Sequence, residues 1–518
     1  MKRWPLLLPF LFAAAPVLTL YASNAGQIAF TETFIPVAVM LAATVLLLPL
    51  LAIVFRSSLR AAVALSVFWW VFFSYGHVAT VIGKHPIGDH NPANPKVLLP
   101  LTCVLLAAGG AWLLRRKPEP VLLARVLLIV VLATLASSAI TGVRAGVSRK
   151  PFDPASVVPA EPIVAGAVAR KPDIFYLIFD RFGSSSTLRH RYHCDVSPLV
   201  DHLRARGFYV ADDSRANYLV TAQSLASSLN MSHLLPLSDV IGRESSDWLP
   251  VFDLLADYRL RRFLSSQGYR YVHVGPKWTP TAQSRFADRN IRFTAVPEFT
   301  SMLISTTAAQ PVLVRMGVGD QDREKYDRVR YQIDALEDLP REEPAPLFVF
   351  AHFLVPHGAY VFNRDGSYRE PSVAHVHSEA ENFVEQVDYL QTRVRALVDS
   401  LLAAYGPDHP PVVVIQGDEG PYPPRTQPHQ FDWRSATDEE ISEKMRIFNA
   451  IYAPGCEGRF YPSMTPVNTF RILLNCYFGT TLAALPDRSY SYRDLKGLYD
   501  FFEVTGRIDA VGDSAAAD

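Results

Sequence analysis

Five apolar runs crowd the first 150 residues, and nothing else in the chain restricts its fold as strongly. They cover about Trp4–Tyr21, Phe34–Phe55, Ala61–Ile82, Val97–Leu114 and Leu122–Val143. Each is close to the roughly 20 residues a helix needs to cross a hydrocarbon core, and almost no charge interrupts them. Inside lipid the backbone has no water to bond, so such runs fold as helices. Residues 1–145 are therefore expected to form a five-helix transmembrane region. The first run has two readings. Lys2 and Arg3 ahead of an apolar core, with small residues at Ala22–Ala25 behind it, also describe a secretory signal peptide.

Charge orients the helices. Arg56 and Arg60 follow the second run, and Arg115, Arg116, Lys117 and Arg125 flank the fourth-to-fifth connection, while the Ala22–Glu32 loop has no Lys or Arg. The positive-inside rule then has the chain leaving the fifth helix on the outer face of the cytoplasmic (inner) membrane, with Arg144, Arg149 and Lys150 counting mildly against it. Residues 1–150 hold 13 Lys+Arg against 3 Asp+Glu, whereas the 518-residue chain balances 50 against 50, so the remainder is acidic. An acidic remainder excludes the phosphate-backbone binding that a nucleic-acid partner requires. Four cysteines are too few for a disulfide framework and fit no zinc spacing. Cys456 and Cys476 can pair in an oxidising compartment or remain thiols.

Residues 146–170, with Pro151, Pro154, Pro159 and Pro162, read as an extended tether holding the next domain near the bilayer. From 171 to 505, short apolar runs alternate with helical periodicity, which predicts an α/β domain with a mostly parallel sheet. Strands are expected at Ile174–Phe179, Phe208–Ala211, Tyr269–Val274, Pro346–Phe353 and Val412–Ile415, with a last strand within Arg446–Tyr452. Helices are expected at Ser197–Arg206, Val251–Ser265, Asp322–Leu336, Glu379–Tyr405 and Val467–Phe478. The weaker pattern over 276–345 reads as a cap insertion, and 506–518 as a flexible tail.

The chemistry gathers around ANYLVTAQSLASSLNM, residues 216–231. Thr221 is either a helix cap or a nucleophile at a helix start whose free N–H groups favour an anion. Ser224 leaves room for a substrate group. Asp180 ends the buried run IFYLIF, either as a strand-end ligand or as the cap of the next helix. Asp418 and Glu419 follow VVVI inside a Gly-flanked turn, and two carboxylates side by side there are costly unless a cation lies between them. His357 follows the strand ending at Phe353, His429 sits on a later loop, and Arg181 is within reach of a phosphate. Oxygen ligands with a hydroxyl suit a divalent cation that polarises a phosphoryl or sulfuryl oxygen.

On PDIFYLIFD, the Thr221 stretch, FAHFLVPHGAYVF, VVVIQGDEGPYP and PVNTFRILLNCYFG, the chain from Lys171 to Tyr492 resembles the alkaline phosphatase and sulfatase superfamily. It is most similar to the membrane-anchored branch that includes lipoteichoic acid synthases and lipid A phosphoethanolamine transferases. The resemblance implies Thr221 as the nucleophile that becomes phosphorylated, and Asp180, Asp418 and the Thr221 hydroxyl as ligands of a divalent metal (manganese, magnesium, calcium or zinc). It also implies His357 at the transferred group or at a second metal, and His429 toward the substrate. Two departures stand out. Sulfatases have Cys-x-Pro-x-Arg where this chain has Thr221, Gln223 and Leu225, and Glu419 stands where the family has His. A carboxylate at Glu419 as the fourth ligand would shift preference from zinc toward harder cations. The expected function is phospho-group transfer on a membrane lipid or envelope polymer substrate. The alternatives are metal-dependent hydrolysis of a phosphoester or sulfate ester, and a non-catalytic protein using the same fold to bind lipid or a partner enzyme. The oligomeric state is left open.

Overall fold

A computed structural model describes residues 4–85, 91–115, 120–148, 151–159, 162–293 apart from 167 and 169, 296–426 and 431–515. It divides into two compact units, Met1–Lys150 with Val296–Asp320, and Pro151–Ala295 with Gln321–Asp518.

In the first unit the apolar runs become α1 (Leu8–Ser23), α2 (Phe34–Phe55), α3 (Ser58–Gly83), α4 (Pro95–Arg115) and α5 (Val121–Ser148). All five are long and apolar enough to cross a membrane. Their surfaces are mostly lipid-like side chains, so packing is specified at a few polar and small positions. Thr19 and Ser138 hydroxyls meet at 2.9 Å between α1 and α5, and Trp69 Nε1 donates to Thr44 Oγ1 at 3.1 Å between α3 and α2. Residues Val296–Asp320 join this unit rather than the α/β domain, so the stretch 276–345 does not act as one insertion. A helix over Glu298–Ser305 sinks Phe299 and Leu303 into the same apolar cluster as Leu8, Phe12 and Phe73. The Gly76 N–H donates to Thr306 O at 2.9 Å, and a Cβ on Gly76 would lie 2.5 Å from Ser305 O, so only glycine admits this approach.

The second unit is built on a seven-stranded sheet. Its strands are β1 (Ile174–Phe179), β2 (Tyr209–Val210), β3 (Arg270–Val274), β4 (Arg289–Ile291), β5 (Leu347–Phe353), β6 (Val412–Gly417) and β7 (Asn449–Tyr452). They lie in the order β2-β7-β6-β1-β5-β3-β4. The pairs among β6, β1, β5, β3 and β4 are parallel, and β7 and β2 add an antiparallel edge. Continuous apolar runs such as IFYLIF and LFVFAHF suit strands covered on both faces. On one face Tyr176, Ile178, Phe350 and Val414 pack against Leu225 and Leu229 of the Thr221–Asn230 helix and against Phe470 and Leu474 of the Pro466–Phe478 helix. On the other, Phe175, Leu177, Val349 and Ile415 meet helices over Ser197–Ala205, Gln321–Glu342 and Glu379–Ala403. The last of these starts with a capping box between Ser378 and Glu381. Truncating any one of these buried Leu or Phe side chains to Ala would cost about 2–5 kcal/mol.

Three local readings of the sequence change. The stretch read as one helix over Val251–Ser265 is two, Leu249–Ala256 and Arg259–Ser266. The tether is partly docked, since Val157 and Val158 are buried in the domain core and the Gly166 N–H donates to Phe478 O at 2.8 Å. The segment read as a flexible tail begins as a helix over Thr505–Ala515, with Ile508 fully buried. Cys456 and Cys476 form a disulfide.

Candidate metal centre and active site

Period-two geometry brings the site together. Phe179 of β1 pairs with Phe353 of β5 and with Gly417 of β6, so the next residues on β1 and β6, Asp180 and Asp418, leave the sheet at one level. Asp180 has the parity of Tyr176 and Ile178, and Asp418 that of Val414 and Gln416, which puts both on the face covered by the Thr221 helix. Gly417 is required at this edge because a Cβ there would meet Phe182 O at 2.3 Å. Asp180 does not cap the following helix. That role falls to Ser184, whose side chain accepts from the Thr187 N–H.

His352, which the sequence reading passed over, completes the cluster. It pairs with Ile178 in register and shares the face of Phe348 and Phe350. One ligand atom each from Asp180, His352 and Asp418 lies within 4.8 Å of the others, and all three residues are buried. Asp180 Oδ1, Asp418 Oδ2 and His352 Nε2 are buried without a hydrogen-bond partner in the protein, an arrangement whose desolvation cost a cation would remove. These donors fit a divalent ion. Burial and the neighbouring Asp418 and Glu419 charges hold Asp180 well above the usual carboxylate range. Asp418 is pushed up to about 7 by burial and by Glu419, against the pull of Thr221, the Arg181 N–H and Lys444.

The His352 tautomer has a built-in support. Its Nδ1 lies 2.8 Å from Thr281 Oγ1, so a proton held there leaves the Nε2 lone pair free. Thr281 O in turn meets His273 Nε2 at 2.7 Å, and His273 Nδ1 meets the Tyr271 hydroxyl at 2.8 Å, which receives the Tyr258 hydroxyl at 2.8 Å. Burial depresses both imidazoles, His273 to about 4 and His352 to about 3, so neutral rings are the stable forms at physiological pH.

Thr221 is the first residue of its helix. The cap position belongs to Val220, which makes no side-chain cap bond, so Thr221 is not spent on capping. Its hydroxyl is near enough to the Asp418 carboxylate to oppose the upward shift from burial, although no short hydrogen bond closes on Oδ2. Ser224, one turn on, is buried with an unpartnered Oγ.

Glu419 has one carboxylate oxygen engaged by cations, and its Oε2 is buried without a hydrogen-bond partner. Its Oε1 lies 2.7 Å from Lys444 Nζ and 3.5 Å from Arg181 Nε. Lys444 is fully buried, also donates to Gly420 O at 3.1 Å, and sits 3.5 Å from the centre of the Tyr422 ring, on which the Arg181 guanidinium stacks at 4.3 Å. Among the described residues, Glu419 is therefore not in the carboxylate–histidine cluster where the sequence reading put it as a ligand. Arg181 adopts a left-handed backbone, φ 66°, and its N–H donates to Asp418 Oδ1 at 3.1 Å. His357 follows β5. Its N–H donates to Asp180 O at 3.1 Å and its Nδ1–H is turned onto Gly358 O. Burial and the Arg181 and Lys325 charges hold it well below the ordinary imidazole range. His429 lies outside the described residues. A cavity of about 150 Å³ opens beside Arg181, lined by Arg191, Tyr192, Tyr360, Glu379 and Glu443 among others.

No protein-family model matches this chain, and no curated protein matches it. Solved structures do. The C-terminal periplasmic domain of EcEptC from Escherichia coli, in complex with zinc, is 13% identical, with 66% of this chain and 96% of that chain covered at a TM-score of 0.45. The integral membrane lipooligosaccharide phosphoethanolamine transferase A from Neisseria meningitidis is 13% identical over 91% of this chain and 95% of that one, at 0.37. An alkaline phosphatase superfamily protein from Vibrio parahaemolyticus is also 13% identical, over 68% and 80%, at 0.38. This chain resembles them. At such scores the roles of its residues stand on the geometry described above.

Proposed function

We propose that this chain is a membrane-anchored, metal-dependent phosphotransferase that moves a phospho-group from a lipid-linked or envelope phosphoester through a phosphothreonine at Thr221. The observation that supports this most is the meeting of Asp180, His352 and Asp418 at one strand edge, with the Thr221 hydroxyl beside Asp418 at an uncapped helix start. Those three side chains would hold a divalent cation, which when bound polarises a phosphoryl oxygen and lowers the pKa of a nearby hydroxyl. Thr221 Oγ forms the new bond to phosphorus while the ester bond to the leaving alcohol breaks, and the proton of the Thr221 hydroxyl ends on that alcohol. The free N–H groups of the first helical turn and the Arg181 guanidinium favour the anionic group being transferred. With its Nδ1–H committed to Gly358 O, His357 keeps Nε2 as a proton acceptor, suited to deprotonating the incoming alcohol in the second half of the cycle. A cavity lined by both arginines and carboxylates, Arg181, Arg191, Glu379 and Glu443, among aromatic rings suits a small zwitterionic headgroup such as phosphoethanolamine. The five apolar helices, an acidic following domain and the Cys456–Cys476 disulfide favour an extracytoplasmic active site on the inner membrane.

The test is a labelled phospholipid donor with an alcohol acceptor, using the purified full chain. Wild type should yield labelled acceptor and, on quenching, phosphate on Thr221 by mass spectrometry. Thr221→Ala should lose both, with transfer down by ~10⁴-fold. Label released only to water would favour hydrolysis, and full activity in Thr221→Ala would remove the phosphothreonine route.

A further inference from the structure

The Glu419–Lys444 pair raises a question that the metal cluster alone does not. A lysine with no exposed surface has all three of its donors engaged, by Glu419, by Gly420 O and by the Tyr422 ring, and it lies at the rim of a carboxylate cluster that attracts cations. The desolvation cost of such an ammonium is several kcal/mol, and an excellent set of partners is needed to offset it. Lys444 Nζ at 2.7 Å and Arg181 Nε at 3.5 Å both face Glu419 Oε1, so this carboxylate already carries two side-chain cations before any metal enters. A second divalent ion beside Glu419 would meet those cations in a buried site, where like-charge repulsion is poorly screened.

We propose that Lys444 is the site's resident second cation: by pairing with Glu419 it removes that carboxylate from the ligand set and limits the centre to one divalent ion on Asp180, His352 and Asp418. This rests on the metal-centre part of the proposed function. Lys444 does not touch substrate, since no part of it is exposed. It is a positioning residue that sets stoichiometry and metal preference.

The experiment is equilibrium dialysis of the full chain in detergent against manganese or zinc, with bound metal counted by mass spectrometry and affinity measured against a chelator. Wild type should take one ion per chain. The double variant E419Q/K444M, which removes the pair without changing net charge, should still take one ion, with affinity within about tenfold of wild type, the lower end of what perturbing a ligand's surroundings costs. The variant E419H/K444M offers a nitrogen ligand freed from the ion pair, and its zinc affinity should rise at least about tenfold relative to manganese. Circular dichroism on each variant separates lost binding from lost fold. Two ions in wild type would overturn the proposal. A more than ~100-fold loss in a folded E419Q/K444M would also overturn it, by making Glu419 a ligand. If no protein, wild type included, binds an ion, the metal-centre reading fails and takes this inference with it. Binding in wild type that is lost in the double variant sinks this inference alone.

Discussion

Asp418 and Glu419 are adjacent in the chain, equally buried, and serve two different regions. Asp418 opens onto a pocket of unpartnered atoms, Asp180 Oδ1, its own Oδ2 and His352 Nε2. Glu419 turns into a pocket already filled by Lys444, Arg181 and the Tyr422 ring. Both carboxylates keep one unpartnered oxygen, Asp418 Oδ2 and Glu419 Oε2, but only Glu419 has its other oxygen paired to a buried lysine. What separates them is whether a buried ammonium is already supplied by the helix over Asp438–Met445.

Each region can be broken separately. The largest effect is expected from Lys444→Met alone, which leaves Glu419 charged and buried beside only Arg181. Stability should fall by about 3–5 kcal/mol, read from denaturant unfolding of the metal-free protein, and Glu419→Gln in the same chain should restore most of it. If the single variant unfolds like wild type, the two pockets are not distinct in the way described. Asp180→Asn acts on the other pocket. Metal affinity should drop by more than ~100-fold, beyond what substitutions behind the ligands cost, while the metal-free protein gains stability because one of three mutually repelling buried carboxylates is gone. Chelator competition and a melting curve on the same sample measure both directions.

Thr281→Val is expected to have a smaller effect. Losing the Oγ1 partner frees His352 Nδ1 to give up its proton preference, and metal affinity should fall by ~10-fold with the fold intact. A cobalt-loaded sample would report the altered ligand through its absorption spectrum. Smallest is a pH effect at another buried lysine of the domain. Lys325 donates to His357 O and Ala359 O, and burial, with Arg328 nearby, pushes it down to about 7. Its folded value lies below the unfolded one, so between about pH 7 and 10.5 the unfolded chain binds more protons and stability rises with pH. Lys325→Met should remove part of that rise between about pH 7 and 9. An unchanged difference between the two melting profiles across this range would contradict the assignment.

Much of the site was legible in residue order. Asp180 and Asp418 could be read because a continuous apolar run that stops at a carboxylate marks a buried strand delivering a charge to the sheet's edge. His352 could have been read too. It sits at even spacing from Phe348 and Phe350, and a lone imidazole on the apolar face of an aromatic strand needs a partner. Lys444 gave no such signal, since a lysine in the last turn of an acidic helix is the pattern of an ordinary surface residue. The pairing of Glu419 was hidden for the same reason: its partner Lys444 belongs to a later helix and reaches it only once that helix and β7 have packed. The segment Val296–Asp320 was similarly opaque, because Phe299 and Leu303 are too few to mark a membrane-unit contact until Gly76 is seen to admit the backbone.

Hydropathy and strand periodicity by themselves determined the five apolar helices, the mostly parallel sheet and the strand ends that present Asp180 and Asp418, because these depend on transfer free energy and on the two-residue period of a strand. Tertiary structure alone decided which carboxylate stays free and which is paired, that His352 joins the cluster, and that residues 296–320 belong with the membrane helices. Those outcomes depend on distances between segments far apart in the chain, and a buried charge takes its role from the partner that folding brings to it, as Lys444 is brought to within 2.7 Å of Glu419.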